Sequence, residues 1–304
     1  MDRIVRMITT DGSLMASAIE SSDLVYTAQK LHGLSKTACA ALGRLLTGAS
    51  LMGAMLKEAG ASLTVKVDGG GPLGNLLALA DSKGNVRGYV DHPEVELPVR
   101  PDGKLDVGGA VGKDGRLAVI RDFGTGEPYA GQVELVSGEI AEDLTNYYAA
   151  SQQTPTVCAL GVLVGKEDGL ALLAGGMLIQ ALPGADEAAL DRLEANIAHL
   201  DSVTTMLAKG LSPEDMCRIA LEGFQVEVLD TAPVHYVCNC SKDRFAGILL
   251  TLPPQELREM PLDPEGRLET VCQYCSRKYY FTREELLDLA DRAEKNRKEF
   301  KISS

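Results

Sequence analysis

Four of the seven cysteines in this chain lie together in a short segment late in the sequence. They form two close pairs, Cys-Asn-Cys at 238–240 and Cys-Gln-Tyr-Cys at 272–275, separated by residues 241–271. In a reducing compartment, clustered cysteines indicate metal or redox chemistry rather than a disulfide framework. Zinc favours sulfur ligands in closed structural sites, and two short-range pairs supply the four thiolates of a tetrahedron. The sequence therefore predicts one zinc ion bound by Cys238, Cys240, Cys272 and Cys275.

The first cysteine pair is unusually tight, because zinc knuckles ordinarily separate their cysteines by two residues and here only Asn239 intervenes. Cysteines this close can reach disulfide distance, but only in a small strained ring. Strained, exposed disulfides are the labile and regulatory kind. Oxidation removes the thiolates, and a site that loses its zinc loses the associated folding energy. On chemistry alone, a static zinc ribbon is favoured and a redox switch stays open.

Length and composition indicate a folded protein of more than one domain. The chain has 304 residues, 45% of them hydrophobic, and domains typically hold roughly 100 to 200 residues. No stretch approaches the ~20 uninterrupted apolar residues of a membrane helix. The first residues, MDRIVRMITTDGSL, lack the apolar core of a signal peptide. We therefore expect a soluble, cytoplasmic protein that does not act at a membrane.

The net charge of -13 argues against nucleic acid as a partner. The acidic excess lies before residue 230, whereas residues 230–304 are nearly neutral. An acidic body repels phosphate backbones, whose binding depends on basic side chains.

The pattern over residues 1–180 predicts an α/β domain. Short strands, beginning with Arg3–Thr9 and Ser13–Ile19, are joined by turn residues and imply a largely antiparallel sheet. Ser22 and Ser35 are candidate N-caps, the second for a helix through Lys57 whose many small residues suit close packing against a sheet. The fold class predicted is α+β.

Two further regions follow this domain. Pro183-Gly184 marks a boundary, after which 186–209 reads as one long helix and 213–221 as a shorter helix capped by Ser212. Residues 181–230 are therefore predicted to form a helical linker. Residues 231–304 form the predicted small zinc domain, whose last helix begins at Thr282 with a capping box to Glu285.

The remaining motifs point to no catalytic chemistry. The glycines at 69, 71 and 74 resemble a dinucleotide fingerprint, but no helix of useful length fits after them, so a glycine-rich turn is favoured. The four histidines show no Ser/Asp partner arrangement, and a surface or supporting role is favoured for His235. The lone cysteines are expected to be buried small hydrophobic residues: Cys39, Cys158 and Cys217. We predict that the chain is not an enzyme.

Over nearly its whole length the chain resembles heat-shock protein 33, a family of redox-regulated bacterial holdase chaperones. The segments that carry the resemblance are long and distinctive: GPLGNLLALADSKGNVRGYV at 71–90, SGEIAEDLTNYYAASQQTPTVCALGVLV at 137–164, GGMLIQALPGA at 175–185, and the cysteine segments VCNCSKDRF and VCQYCSRKYYFTREEL.

The resemblance implies an N-terminal core domain, a helical linker and a C-terminal zinc domain. It also implies that the four cysteines hold one zinc ion as thiolates in an inactive, reduced form. Peroxide with heat, or hypochlorite, would convert them to Cys238–Cys240 and Cys272–Cys275 disulfides and release the zinc. The zinc domain and linker would then unfold. Active members form homodimers and hold unfolding client proteins without ATP, protecting them under oxidative and heat stress.

Four apolar residues of the predicted linker are candidates for the client-binding surface: Leu190, Leu193, Ile197 and Leu200. Two rival classes remain for the whole chain. A static zinc-ribbon interaction protein would keep its metal under mild peroxide, and a zinc enzyme would lose an activity on oxidation rather than gain one.

Overall fold

The computed structural model describes residues 1–302, and their side chains as far as residue 297. The strands of this region are β1 (Arg3–Thr9), β2 (Leu14–Glu20), β3 (Ser62–Asp68), β4 (Leu76–Asp81), β5 (Val86–Val90), β6 (Arg116–Asp122), β7 (Tyr129–Glu134), β8 (Thr156–Val164), β9 (Ala171–Ala181), β10 (Val226–Pro233), β11 (Arg267–Val271) and β12 (Lys278–Thr282). The helices are α1 (Ser22–His32), α2 (Lys36–Gly53), α3 (Val107–Val111), α4 (Ala141–Ala150), α5 (Glu187–Ala198), α6 (Val203–Ala208), α7 (Pro213–Ala220), α8 (Lys242–Leu249), α9 (Pro254–Glu259) and α10 (Arg283–Ile302).

These elements form two compact units, Met1–Val237 and a second that begins at Cys238. The first unit contains two five-stranded sheets, in the orders β10-β1-β2-β9-β8 and β5-β4-β3-β6-β7. The second unit contains the β11–β12 hairpin and helices α8 to α10. Neighbouring strands within these sheets run antiparallel, which confirms the predicted α+β class with antiparallel sheets. None of the described helices is long and apolar enough to cross a membrane.

Helix α2 lies at the centre of the first unit. The Ser35 hydroxyl accepts a hydrogen bond from the Ala38 N–H at 3.1 Å, so the predicted N-cap is confirmed. A Cβ atom at Gly48 would lie 2.6 Å from Leu144 Cδ1, and one at Gly53 would lie 2.6 Å from Ala80 Cβ. The small residues therefore allow the close packing that the sequence predicted, although the helix ends at Gly53 rather than at Lys57.

Both faces of the first sheet are covered. One face joins α2 and the second sheet in the main core, to which Ile4, Leu178 and Val65 contribute. The opposite face packs against α5, α6 and α7 in a second buried cluster. Its members include Met7 and Ile179 from the sheet and Leu193, Met206 and Met216 from the helices. Residues 181–230 are thus mostly helical and packed within the first unit, and they also contain most of β10.

The predicted long helix over 186–209 is wrong, because it breaks after Ala198 into α5 and α6. The Ser202 hydroxyl accepts a hydrogen bond from the Thr205 N–H at 3.3 Å and so starts a new helix. The apolar spacing continues through the break, which is why periodicity alone predicted one helix.

Two other local predictions also need correction. The N-cap of α1 is Ser21 rather than Ser22, and the Asp2 carboxylate accepts the hydrogen bond from the Leu24 N–H at 2.6 Å. Strand β10 was not predicted, although it pairs with β1 from Val226 to Pro233 with one bulge at Leu229.

The buried Asp143 carboxylate organises the turn that starts α4. It accepts hydrogen bonds from the backbone N–H groups of Val136 at 2.7 Å, Ser137 at 3.1 Å and Ile140 at 2.9 Å. Ile140 has a φ of 72°, a conformation that costs a β-branched residue free energy. The carboxylate therefore holds a strained backbone in place.

We expect Asp143→Ala to lower the free energy of unfolding by about 2–4 kcal/mol, because buried N–H groups lose their acceptor. Urea denaturation followed by circular dichroism would measure the change. The matched control is Glu142→Ala at the exposed neighbouring position, for which we expect a change within about 0.5 kcal/mol. Equal midpoints for the two variants would contradict this assignment.

Candidate metal centre

The turn between β11 and β12 carries Cys272 and Cys275. The Cys272 N–H donates to the Arg277 carbonyl at 2.9 Å, and the Cys272 carbonyl accepts from the Ser276 N–H at 2.8 Å. Ser276 adopts a φ of 56°, in the left-handed region. These bonds close a tight turn that brings the two thiols to the same end of the hairpin.

The other two cysteines lie on the segment that leads into α8. Ser241 caps this helix by accepting a hydrogen bond from the Arg244 N–H at 3.2 Å. The Arg244 guanidinium donates back to Asn239, to the carbonyl oxygen at 3.1 Å and to Oδ1 at 2.6 Å. The residue between Cys238 and Cys240 is therefore fixed by the first turn of α8.

The four cysteine Sγ atoms all lie within 4.8 Å of one another. The distance is 3.3 Å from Cys240 Sγ to Cys275 Sγ and 3.7 Å from Cys238 Sγ to Cys272 Sγ. A disulfide bond is about 2.05 Å long, and all seven cysteines of the chain are free thiols. A tetrahedral zinc site with arms of about 2.3 Å has sulfur–sulfur edges of about 3.8 Å. The spacing and chemistry of these donors therefore fit a four-thiolate metal site.

Tyr279 supports this cluster, a role that the sequence pattern did not predict. Its hydroxyl lies 2.9 Å from the Cys240 carbonyl oxygen and 3.1 Å from Cys240 Sγ, and donates to this pair of acceptors. The only sequence signal was its place in the strand directly after the second cysteine pair. Groups that hydrogen-bond metal ligands orient them and tune their affinity.

The thiols of the cluster differ in how readily they ionise. Burial acts to raise the pKa of Cys240, but hydrogen bonds from Tyr279 and the neighbouring cysteines outweigh it and lower that pKa to about 7. Burial is the main cause that raises the pKa of Cys238, and it raises the pKa of Cys275 to about 12. Among these three thiols, negative charge is therefore best stabilised at Cys240.

The three lone cysteines lie apart from the cluster. These are Cys39, Cys158 and Cys217. Burial raises the pKa of each of these thiols to about 12, so they are poor nucleophiles. Their expected role as small hydrophobic residues is confirmed for Cys39 and Cys217, which are fully buried. Cys158 is half-buried on β8.

Two other motifs of the sequence have structural roles. His235 belongs to the first unit, where its N–H donates to Asn85 Oδ1 at 3.1 Å and its carbonyl accepts from the Val86 N–H at 3.0 Å. The glycine motif forms a turn, as predicted. A Cβ atom at Gly69 would lie 2.3 Å from the Gly112 carbonyl oxygen, so the glycine allows two backbone segments to touch.

The family model of the Hsp33 protein matches residues 2–282. The chain belongs to the Hsp33 family. An Hsp33 relative from Clostridioides difficile, named 33 kDa chaperonin, is 45% identical over 288 residues, covering 95% of this chain and 98% of the relative. The 33 kDa chaperonin of Bacillus subtilis is 42% identical over 291 residues, covering 96% and 99%.

A solved structure agrees with this Hsp33 assignment. The crystal structure of the 33 kDa chaperonin (heat shock protein 33 homolog) from Thermotoga maritima matches with a TM-score of 0.85 at 35% identity. The match covers 99% of both chains. The resemblance found in the sequence is therefore confirmed at the level of family and fold.

For a four-thiolate zinc site, we expect Tyr279→Phe to weaken zinc binding by about 10-fold, because Cys240 loses its hydrogen-bond donor. Competition with a chromogenic chelator under reducing conditions would measure the affinity. The adjacent Tyr280 provides a matched control, since its hydroxyl donates instead to Glu269 at 2.9 Å. Tyr280→Phe should leave zinc affinity unchanged. An equal loss of zinc affinity in the two variants would contradict a specific role for Tyr279.

Proposed function

We propose that the chain is an ATP-independent holdase chaperone that is switched on by oxidation of its four clustered cysteines. The observation that carries the proposal is the close approach of four free sulfur atoms in a chain of the Hsp33 family. The chaperonin names of its relatives support a chaperone function rather than an enzymatic one. Its clients would be unfolding proteins under oxidative and heat stress.

In the reduced state the four cysteines hold one zinc ion: Cys238, Cys240, Cys272 and Cys275. When bound, zinc supplies a cross-link between the two cysteine segments. The protein contributes the rest: the β11–β12 turn presents one pair, the start of α8 fixes the other, and Tyr279 donates to Cys240. The all-sulfur donor set favours zinc over magnesium or calcium, which prefer oxygen.

Oxidation converts the cluster into two disulfides, which we assign to Cys238–Cys240 and Cys272–Cys275. For each disulfide, two thiolates together give up two electrons, and one peroxide molecule takes these electrons with two protons from solvent and is reduced to two water molecules. The sulfurs then cease to be thiolates, so the metal is released. An alternative disulfide pairing would join Cys238 to Cys272, whose sulfur atoms lie 3.7 Å apart, and Cys240 to Cys275, whose sulfur atoms lie 3.3 Å apart.

The second unit depends on this cross-link because its apolar core is small. The fully buried members other than Phe281 lie on the helices: Leu249, Leu257, Leu286, Leu289, Ala290 and Ala293. The β11–β12 hairpin joins this core through Phe281 and the half-buried Leu268 and Tyr279, and is otherwise held by its five-residue pairing. An isolated hairpin is marginally stable in water. Loss of a structural zinc removes enough folding free energy to unfold a domain of this size.

Residues 181–230 would then act as the linker between sensor and core domain 1–180, with 231–304 as the redox-switch domain. Three of the four candidate client-binding residues pack in the second cluster, where Leu193 is 5% exposed and Ile197 and Leu200 are half-buried. Leu190 is half-buried and lines a cavity instead. Unpacking of the linker would expose them to clients. We further propose a homodimer in the active state and a cytoplasmic location, with neither nucleic acid nor membrane as a partner.

An aggregation assay with heat-unfolded citrate synthase tests the proposal. The peroxide-treated protein should suppress light scattering and the reduced protein should not, and treatment should release about one zinc per chain and consume four thiols. Equal protection by both forms would rule out the redox switch. Retention of zinc through mild peroxide would instead indicate a static zinc ribbon.

Two controls define the site. Cys238→Ser should lower zinc content under reducing conditions, whereas Cys158→Ser, outside the cluster, should leave it unchanged. Mass spectrometry of proteolytic fragments from the oxidised protein should recover the Cys238–Cys240 and Cys272–Cys275 bonds. Recovery of Cys238–Cys272 and Cys240–Cys275 would overturn the pairing without affecting the ligand set.

Weakening the linker packing should lower the oxidant requirement. Leu193→Ala removes a buried side chain from the second cluster, which typically costs about 2–5 kcal/mol. We expect protection of citrate synthase to reach half-maximum at a lower peroxide concentration than in the parent protein. Glu194→Ala, at the exposed next position on α5, is the control and should leave that concentration unchanged. If Leu193→Ala needed a higher peroxide concentration than the parent for half-maximal protection, the result would contradict a role for linker unpacking.

A further inference from the structure

Strand β8 is an unprotected edge of the first sheet. Among the described residues it pairs with β9 on one side and with no strand on the other. Its sequence, TVCALGVLV, contains no charged residue and no proline. All its residues are half-buried except the exposed Leu163, whereas β9 is fully buried from Ala174 to Gln180. One backbone edge of β8 is therefore not paired with any described strand.

The other edges of the two large sheets carry protection that β8 lacks. In the described part of the chain, β10 has Glu227, Asp230 and Pro233, β7 has Glu134, and β5 has Arg87. Charged residues and proline on edge strands oppose pairing with a further strand. The contrast marks β8 as an edge that is available for pairing.

The hydrogen-bond register shows which backbone groups are free. The Ala181 N–H donates to the Pro155 carbonyl, and bonded pairs alternate along an antiparallel ladder. Odd-numbered residues of β8 therefore bond to β9, and the N–H and C=O groups of Cys158, Leu160 and Val162 face away from it. A row of unpaired N–H and C=O groups can bind an extended chain by main-chain hydrogen bonding, and this binding depends little on the sequence of the bound chain.

A cavity of about 510 Å³ lies beside the start of this edge. Thr154 and Pro155, which directly precede β8, line it together with Met52, Met55 and Leu182. Methionine side chains are flexible and adapt to differently shaped apolar groups. Arginine and glutamine side chains also line the cavity, so it offers both polar and apolar contacts to a chain that reaches the start of β8.

Helix α6 covers one face of this strand. A Cβ atom at Gly161 would lie 2.9 Å from Thr204 Cγ2 and 3.3 Å from Val203 Cβ, so α6 packs directly on the middle of β8. Release of the linker would clear this face and expose the apolar side chains next to the free edge. The edge then offers both backbone pairing and apolar contact.

We propose that β8 captures clients by adding one of their extended, apolar segments to the sheet as a sixth strand. This assignment rests on the proposed chaperone function, which supplies the class of partner. The neutral, apolar edge on a chain of net charge -13 matches an uncharged segment of unfolded polypeptide. The nine-residue strand spans about 30 Å and sets the length of segment that fits.

Residue-resolved amide hydrogen exchange tests this assignment, with reduced and carboxymethylated α-lactalbumin as a permanently unfolded probe. In the oxidised protein, the Cys158, Leu160 and Val162 amides should exchange at least about 10-fold more slowly when the probe is bound, because they gain acceptors. Unchanged exchange of these amides in a complex that retains the probe would overturn the assignment. Slow exchange without probe, increasing with protein concentration, would assign the edge to a second copy of this chain and also overturn it.

A pair of variants provides the binding control. Leu163→Lys places a charge on the exposed end of β8, and Leu172→Lys makes the same change on β9, where the side chain is 51% exposed. Fluorescence anisotropy of labelled probe should show at least about 10-fold weaker binding for Leu163→Lys, since edge lysines oppose strand pairing. Leu172→Lys should bind like the parent, and equal losses would overturn the assignment.

The outcomes for the edge and for the proposed function can be told apart. If the oxidised parent protects citrate synthase but the two variants bind the probe equally well, or the probe leaves amide exchange unchanged, only the edge assignment fails. If the oxidised parent gives no protection, the proposed function fails.

Discussion

The closeness of four sulfur atoms is the constraint on which the second unit depends. Four thiolates within 4.8 Å of one another repel strongly unless a cation lies among them. The arrangement is therefore compatible with protonated thiols or with a bound metal ion, but not with four bare negative charges. Because the core around it is small and mostly helical, the proposed function makes the chemical state of these sulfurs decide whether the two cysteine segments stay together. A change of redox state is in this way also a change of folding free energy.

The first unit has the opposite character. Its main core joins two sheets through α2, and its second cluster is completed by α5, α6 and α7. Neither cluster uses a cysteine of the candidate metal centre. Oxidation in the second unit therefore leaves the main core chemically untouched. The helices at 181–230 are intermediate in how much apolar core they contribute, because only a limited set of their residues is buried, such as Leu193 and Met216.

Local patterns predicted much of this fold, and long-range contacts account for most of what was missed. The caps at Ser35 and Ser212 and the capping box at Thr282 follow from side chains a few residues apart, and each is present. Strand β10 was missed because its partner is the distant β1. Asp2 was missed as a cap for α1 for the same reason. At the candidate site, cysteine spacing identified the four sulfurs, but the role of Tyr279 depends on where β12 places its hydroxyl.

An unprotected edge strand is normally a liability, since it invites aggregation. A holdase, however, must bind many unrelated segments, and side-chain recognition alone would restrict its clients. The proposed main-chain pairing on β8 would remove that restriction, because every polypeptide offers the same N–H and C=O groups. The cost is exposure to unwanted pairing, which the charges or proline on the other large-sheet edges oppose at those positions. Helix α6, which packs over Gly161, would in addition cover the apolar face of β8 until the linker is released.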